Sequence, residues 1–333
     1  MTNVVHIDEK LFYITRTQQT FYLTQDEIEP HREIHFIPKI MFMCAVARPI
    51  FSIEGEMIFD GKIGIFPFTH EVAAQRNSKN RKRGEPETKP IQSITKEHTR
   101  DMIVHKILPA IRIKWPSHLS KTIFIQQDNA KPHILDDDEM FREVATLDGF
   151  NFHLVQQPPN SPDMNVLDLG FFRSIQSLQH QKSPYNYSQL VKAVTTAFDN
   201  LTPNALKNVW ITLQACKIEV IKKLGGMDYA IPHMSKAKLE REGRLPHCLG
   251  VQQETIYQTL RYLETKVDKT TLEGILFYLG ITDESVFHQL HEYIPATTEA
   301  TSQATPEATT EATIEATAYI PARTEATTEA TPA

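Results

Sequence analysis

The chain has 333 residues, 41% of them hydrophobic, enough to bury one large core or two ordinary ones. Its 35 Lys and Arg against 41 Asp and Glu give a net charge of −6, but residues 296–333 hold six Glu and one Arg, so the remaining 295 residues sum to only −1. A near-neutral body argues against holding nucleic acid by bulk charge and leaves room only for a local basic face. No apolar run reaches the roughly 18 residues of a membrane span, and the N-terminus lacks a signal-peptide pattern. Cys44, Cys216 and Cys248 are odd in number and widely spaced, which fits neither a disulfide framework nor a zinc cluster. The expectation is a soluble intracellular protein with reduced cysteines, largely in core positions.

In chain order, Val4-Val5-His6-Ile7 reads as a strand leading into Asp8, and Leu11–Ile14 and Thr20–Leu23 read as an antiparallel hairpin around a polar turn. The continuously apolar Lys39–Val46 is a further strand. Between Glu71 and Lys96 the text is polar and basic with no period, and residues 71–96 are expected to be a loop or insertion. A helix is predicted from Ser93 or Thr95 through Ile107, broken near Pro109. Thr122–Gln127 is a short strand ending on Asp128. Asp136-Asp137-Asp138-Glu139 opens a helix that Gly149 closes, and Asn151–Val155 is the next strand. Strand, helix, strand, helix is the pattern of parallel α/β pairing. From Tyr187 the chain turns helical. Leu190, Val191, Val194, Phe198 and Leu201 share one face, Thr202-Pro203 starts the next helix and Gly225-Gly226 stops it. Helical text continues to about residue 295. Residues 296–333 are almost wholly Thr, Ala, Glu and Pro, with a near-copy of Tyr293–Thr301 at Tyr319–Thr327; such a repeat cannot bury enough surface to order itself, and a disordered tail is expected.

Three aspartates are embedded in apolar text: Asp8 after the first strand, Asp128 after Thr122–Gln127, and Asp168 inside Val166–Phe172. Each alone reads equally well as a helix cap or an Asx turn. Together, carboxylates on adjacent strands and a neighbouring helix can hold hard divalent cations, and two such ions can drive phosphodiester displacement. Asp136–Asp138 competes as a ligand run but suits a helix N-terminus better. His133 and Asn165 lie near the candidate acids and could bond ligands or substrate phosphate, or simply brace loops. Arg81, Lys82 and Arg83, in the basic stretch from Arg76, are either a solvated loop or a contact with nucleic acid or a nuclear import receptor. No glycine-rich phosphate loop, serine elbow or catalytic cysteine signature is present.

Val5–Lys10, Phe59–Ile65, Gln126–His133 and Gln157–Phe172 resemble the catalytic domain of mariner-like transposases, the plant type in particular, in which the last two catalytic aspartates are separated by 39 residues, as Asp128 and Asp168 are here. The resemblance covers most of residues 1–246. It implies an α/β, ribonuclease-H-like mixed sheet flanked by helices, spanning residues 1–226, followed by a helical C-terminal extension at 227–295 and the disordered tail. It implies that Asp8, Asp128 and Asp168 bind two Mg2+ ions, with Mn2+ as a substitute, and cut and rejoin double-stranded transposon-end DNA in a nuclear homodimer, with no membrane and no small-molecule substrate. Leu11 stands where family members carry Trp. The family's paired helix-turn-helix units would lie upstream of the first aspartate, and seven residues cannot hold them. The expectation is therefore a catalytic region without its DNA reader; the alternative is a catalytically silent, transposon-derived relic or a host-adopted interaction module.

Overall fold

A computed structural model of the protein describes residues 2–14, 38–52, 54–77, 81–268 and 271. The predicted strand Thr20–Leu23, residues 272–295 of the predicted helical extension and the repeat tail lie outside these. Among the described residues no helix is long and apolar enough to cross a membrane. The chain divides into two compact units, Thr2–Trp210 and the residues from Ile211 onward.

The first unit is built on strands β1 (Val4–Tyr13), β2 (Lys39–Ala47), β3 (Ile50–Phe51), β4 (Met57–Phe59), β5 (Lys62–Pro67), β6 (Thr69–Ala73), β7 (Pro86–Pro90), β8 (Thr122–Gln127) and β9 (Asn151–Gln156). Five of them form one sheet in the order β5-β2-β1-β8-β9. The β2–β1 and β5–β2 pairs are antiparallel, while β1–β8 and β8–β9 are parallel. This is the mixed sheet of the ribonuclease-H-like fold, an antiparallel meander continued by two parallel strands through helical crossovers.

Asp8 does not end a strand. β1 runs unbroken for 10 residues, because Asp8, Glu9 and Lys10 stay paired across to Cys44, Met43 and Phe42 of β2. Alternation along β1 sends Val5 and Ile7 to one face and His6 and Asp8 to the other. On the first face Val5, Ile7, Met43, Ala45, Ile123, Ile125, Phe152 and Leu154 pack with Ile103, Ile107, Ile111 and Phe141 from the crossover helices. On the second, Phe12 meets Phe42 edge-on at 5.3 Å and His6 meets Trp210 at 5.0 Å.

The polar stretch expected as a loop contains a hairpin instead. β6 and β7 pair from Thr69↔Pro90 to Ala73↔Pro86, held by backbone bonds that need no apolar side chains. The predicted helix break at Pro109 is also corrected. Helix α1 (Lys96–Met102) continues through a π-turn at Ile103–Ile107 into α2 (Leu108–Lys114). Leu108 N–H donates to the Ile103 carbonyl, so the helix widens just before the residue that has no N–H, and Pro109 is absorbed. α3 (Glu139–Ala145) starts on Asp138, which accepts from Phe141 N and takes a bidentate pair from Arg100 at 2.8–3.0 Å. Asp136 accepts from Leu154 N at 2.7 Å. Asp136 and Asp138 thus brace the start of α3 and β9.

α4 (Phe172–His180) follows a second π-turn at Leu167–Phe171, and α5 (Tyr187–Asn200) buries Leu190, Ala193, Val194, Ala197 and Phe198, close to the predicted face. The tight turn Asp60-Gly61-Lys62 brings a buried lysine beneath the end of α5. Lys62 Nζ donates to the carbonyls of Phe198, Asp199 and Leu201 at 3.4, 2.7 and 3.1 Å, at the helix C-terminus where acceptors outnumber backbone donors; Phe198 also accepts from Leu201 N. Gly61 has φ +76°, and a Cβ there would stand 2.3 Å from the Ala47 carbonyl oxygen, so only glycine fits.

α6 (Pro203–Lys222) carries the division between the two units. In the second unit, its later turns are joined by α7 (Lys236–Arg241) and α8 (Gln253–Glu264). Gln214 accepts from Leu249 N, Thr259 donates to the Ile221 carbonyl, and Tyr257 and Leu260 are buried. Cys44 and Cys216 are buried free thiols, as composition suggested, and Cys248 is half-buried.

Candidate active site

Three chain segments meet around Asp8, and each is fixed by amide side chains rather than by apolar packing. Gln126 Nε2 donates to the Met164 carbonyl at 2.9 Å, and Gln127 Nε2 to the Ile134 carbonyl. Asn129 Nδ2 donates to the Gln157 carbonyl at 2.8 Å, and Gln157 Nε2 to the Ser161 carbonyl. Gln126, Gln127 and Gln157 are buried, so these bonds satisfy loop carbonyls that water does not reach. The loops after β8 and β9 are thereby locked to each other and to β8.

Asp8 sits near the middle of the sheet and is 8% exposed. Its Oδ1 accepts from Glu9 N at 2.7 Å and its Oδ2 from Asn165 Nδ2 at 2.8 Å. Asn165 is itself fixed, because its Oδ1 accepts from Leu167 N at 3.0 Å. That bond ties Asp8 to the π-turn carrying Asp168. The two carboxyl groups are in hydrogen-bonding contact, and burial, then the Asp168 charge, then that of Glu9 push the Asp8 carboxyl up to about 8. Asp168 lies on the exposed side of its turn.

Asp128 is placed by strand register. The β1–β8 ladder pairs Val4↔Phe124, Val5↔Ile125 and His6↔Gln126. Asp8 and Asp128 each lie two residues past the last pair, level with one another on strands that a parallel sheet spaces about 4.8 Å apart. The Asp128 carboxylate, half-exposed, accepts from Ala130 N at 2.9 Å and lies 3.0 Å from His133 Nδ1. The structure therefore brings Asp8 and Asp168 together and sets Asp128 beside them, turned toward His133. Among the described residues no three His, Cys, Asp or Glu side chains are already gathered into a ligating cluster.

His133 is buried with both ring nitrogens engaged. Nδ1 faces the Asp128 carbonyl at 2.9 Å, and Nε2 faces both Glu9 carboxylate oxygens at 3.1 Å. Burial alone would lower its pKa, but the hydrogen bond and charge of Glu9, aided by Asp128, raise it to about 9. At neutral pH the ring is an imidazolium donating on both sides. Glu9 was not singled out by sequence reasoning; its place beside Asp8 in a strand, pointing to the opposite face, was the available signal.

The donors here suit a hard divalent cation. They are carboxylate oxygens, and the contact of buried Asp8 with Asp168 keeps an acid partly protonated at neutral pH, a frustration that a cation between the two would remove. Asp8 and Asp168 are the immediate pair, with Asp128 beside them at the end of the neighbouring strand. Of the basic residues, Lys10 holds its ammonium 5.7 Å above the Phe172 ring. Arg81 is tied across the β6–β7 hairpin to Glu87 at 2.9 Å, while Lys82 and Arg83 are exposed in its turn.

Among solved structures the chain is similar to the Mos1 transposase paired-end complex with left transposon end, at 17% identity and a TM-score of 0.40, over 64% of this chain and 52% of that one. It is similar also to the Mos1 mariner paired-end complex with Mn, at 16% and 0.40, over 64% and 52%, and to the paired-end complex with Mg, at 16% and 0.38, over 64% and 54%. The chain spans about half the length of these structures' chains. No protein-family model and no curated protein matches it.

Proposed function

We propose that the unit Thr2–Trp210 is the catalytic core of a mariner-type DNA transposase, acting on phosphodiester bonds with divalent metal. The observation that carries this reading is the convergence beside the central strand, where the parallel pair β1–β8 ends. Asp8 touches Asp168 and stands level with Asp128, just past the end of the neighbouring parallel strand. The spacing of 39 residues between Asp128 and Asp168 and the segments around them agree with it.

Asp8, Asp168 and Asp128 would hold Mg2+ or Mn2+, which when bound lowers the pKa of an attacking water or 3′-hydroxyl and stabilises the leaving oxygen. The protein's own part is positional. Asn165 and the Glu9 amide present Asp8 with both oxygens pre-oriented, and the Gln126–Met164 and Asn129–Gln157 bonds keep the loops bearing Asp128 and Asp168 at a fixed separation. Transposon-end DNA is the proposed substrate, and a second copy of the chain the proposed partner.

The test is Mn2+-dependent nicking of supercoiled DNA. Asp8→Asn and Asp168→Asn are each expected to lower the rate by at least about 100-fold. Cleavage equal to wild type by both variants would remove the assignment. A second reading, a folded but silent relic, draws on Asp128 being engaged with His133 and on the absence of a formed three-ligand cluster among the described residues. It predicts no nicking by the wild type at any Mn2+ concentration.

A further inference from the structure

Glu9 and His133 have no assigned part in the chemistry above, yet they form an enclosed polar contact beside it. The His133 side chain is 4% exposed and that of Glu9 15%. Glu9 points to the face of β1 opposite Asp8, so it does not approach the Asp168 carboxyl side of the sheet. The imidazole spans from Glu9 in the strand to Asp128 just past β8 and so joins β1 to the Asp128 turn. The turn itself is short: His133 N donates to the Ala130 carbonyl, and Ala130 N to the Asp128 carboxylate. Its closure therefore fixes the rotation of the Asp128 side chain.

We propose that Glu9 is a positioning residue, acting through His133 to hold Asp128 level with Asp8 so that its carboxylate is presented to the metal with little reorganisation. The clamp rests on the metal-dependent reading of the site. Partners of this kind, one bond removed from a ligand, typically change metal affinity by about 10- to 100-fold when lost.

The full chain is melted across a Mn2+ titration, and the quantity read is the Mn2+ concentration at half-maximal stabilisation. Glu9→Ala is expected to raise that midpoint by about 10- to 100-fold. Glu9→Gln, which keeps an oxygen acceptor for His133 but no charge, is expected to stay within about threefold of wild type, since positioning needs the acceptor. His133→Asn, which leaves Glu9 charged but cannot reach it, provides a second route should Glu9→Ala not fold, and is expected to raise the midpoint as Glu9→Ala does. A Gln variant as impaired as Ala would make the effect one of charge and overturn the clamp. Unchanged midpoints in Glu9→Ala or His133→Asn, with only the metal-free melt lowered, would reduce the pair to a structural brace. A wild type indifferent to Mn2+ would fail the metal reading itself and the clamp with it.

Discussion

At the scale of single residues, Asp8 is the group on which stability and chemistry pull in opposite directions. An isolated strand aspartate facing a helix would be a liability, and this one is buried against a second acid. The sign of its effect follows from proton binding. With an unfolded value of 3.8 and a folded value of about 8, the native protein holds a proton that the unfolded chain has lost, so the metal-free fold weakens as pH rises through that window. His133 acts in the same direction over a higher range, from 6.5 to about 9, because its partners favour the charged ring. In EDTA, melting temperature is expected to fall between about pH 5 and about pH 8, and Asp8→Asn to flatten most of that slope and to raise stability near pH 8 by a few kcal/mol. A melt of Asp8→Asn with the wild-type pH slope would show that Asp168 does not load Asp8. Asp128→Asn should be near neutral without metal, within about 1 kcal/mol, since that carboxylate is half-exposed and its His133 pair is partly screened.

At the scale of elements, the buried lysine under α5 and the capped start of α3 make the sharpest tests of what holds the sheet's covering helices. Lys62→Met keeps the stem but takes their donor from the helix-end carbonyls of Asp199 and Leu201, and is expected to cost about 2–4 kcal/mol by urea unfolding. Asp138→Ala removes both the α3 cap and the Arg100 pair. Arg100 holds the Asp138 carboxyl below its ordinary 3.8, so this stabilisation is present above that value and lost as pH falls through the lower folded one. The variant should therefore lose about 1–3 kcal/mol at neutral pH and little in strong acid. The same elements explain what was legible in the sequence. β8, β9 and α5 were readable because each buries one clean apolar pattern, and the N-cap of α3 because acids before an apolar period have one common use. β1 was read as two pieces because its Asp8-Glu9-Lys10 segment looks like a turn; the backbone pairing to β2 that overrides this is invisible until the partner strand is known. β6 and β7 were missed for the same reason, since a Glu, Thr and Pro-rich hairpin draws its support from backbone bonds. The site was legible as three acids, but not as a pair plus a tethered third, because the amide struts from Gln126, Gln127, Asn129 and Gln157 are long-range bonds that spacing does not encode.

At the scale of the whole molecule, the question is how a body of near-zero net charge would hold a polyanion. Of the 35 Lys and Arg, many in the first unit are already committed: Lys62 under α5, Arg100 on Asp138, Arg112 on the Val144 carbonyl and Arg81 on Glu87. Bulk attraction being weak, DNA affinity would have to come from exposed cations on projecting elements, and the β6–β7 hairpin offers Arg76, Lys82 and Arg83 at its exposed end. Each phosphate contact contributes about 0.9 to the slope of log K against log salt. Replacing Lys82 and Arg83 with Ala should lower that slope by up to about 2 and weaken binding several-fold at low salt, with little dependence on DNA sequence. Arg81→Ala should do less to the slope, because its guanidinium is spent on Glu87, and more to the hairpin's melting. A double variant Lys82→Ala/Arg83→Ala with an unchanged salt slope, measured by fluorescence anisotropy, would return the hairpin turn to plain solvated surface and leave the DNA-binding face to be sought elsewhere on the molecule.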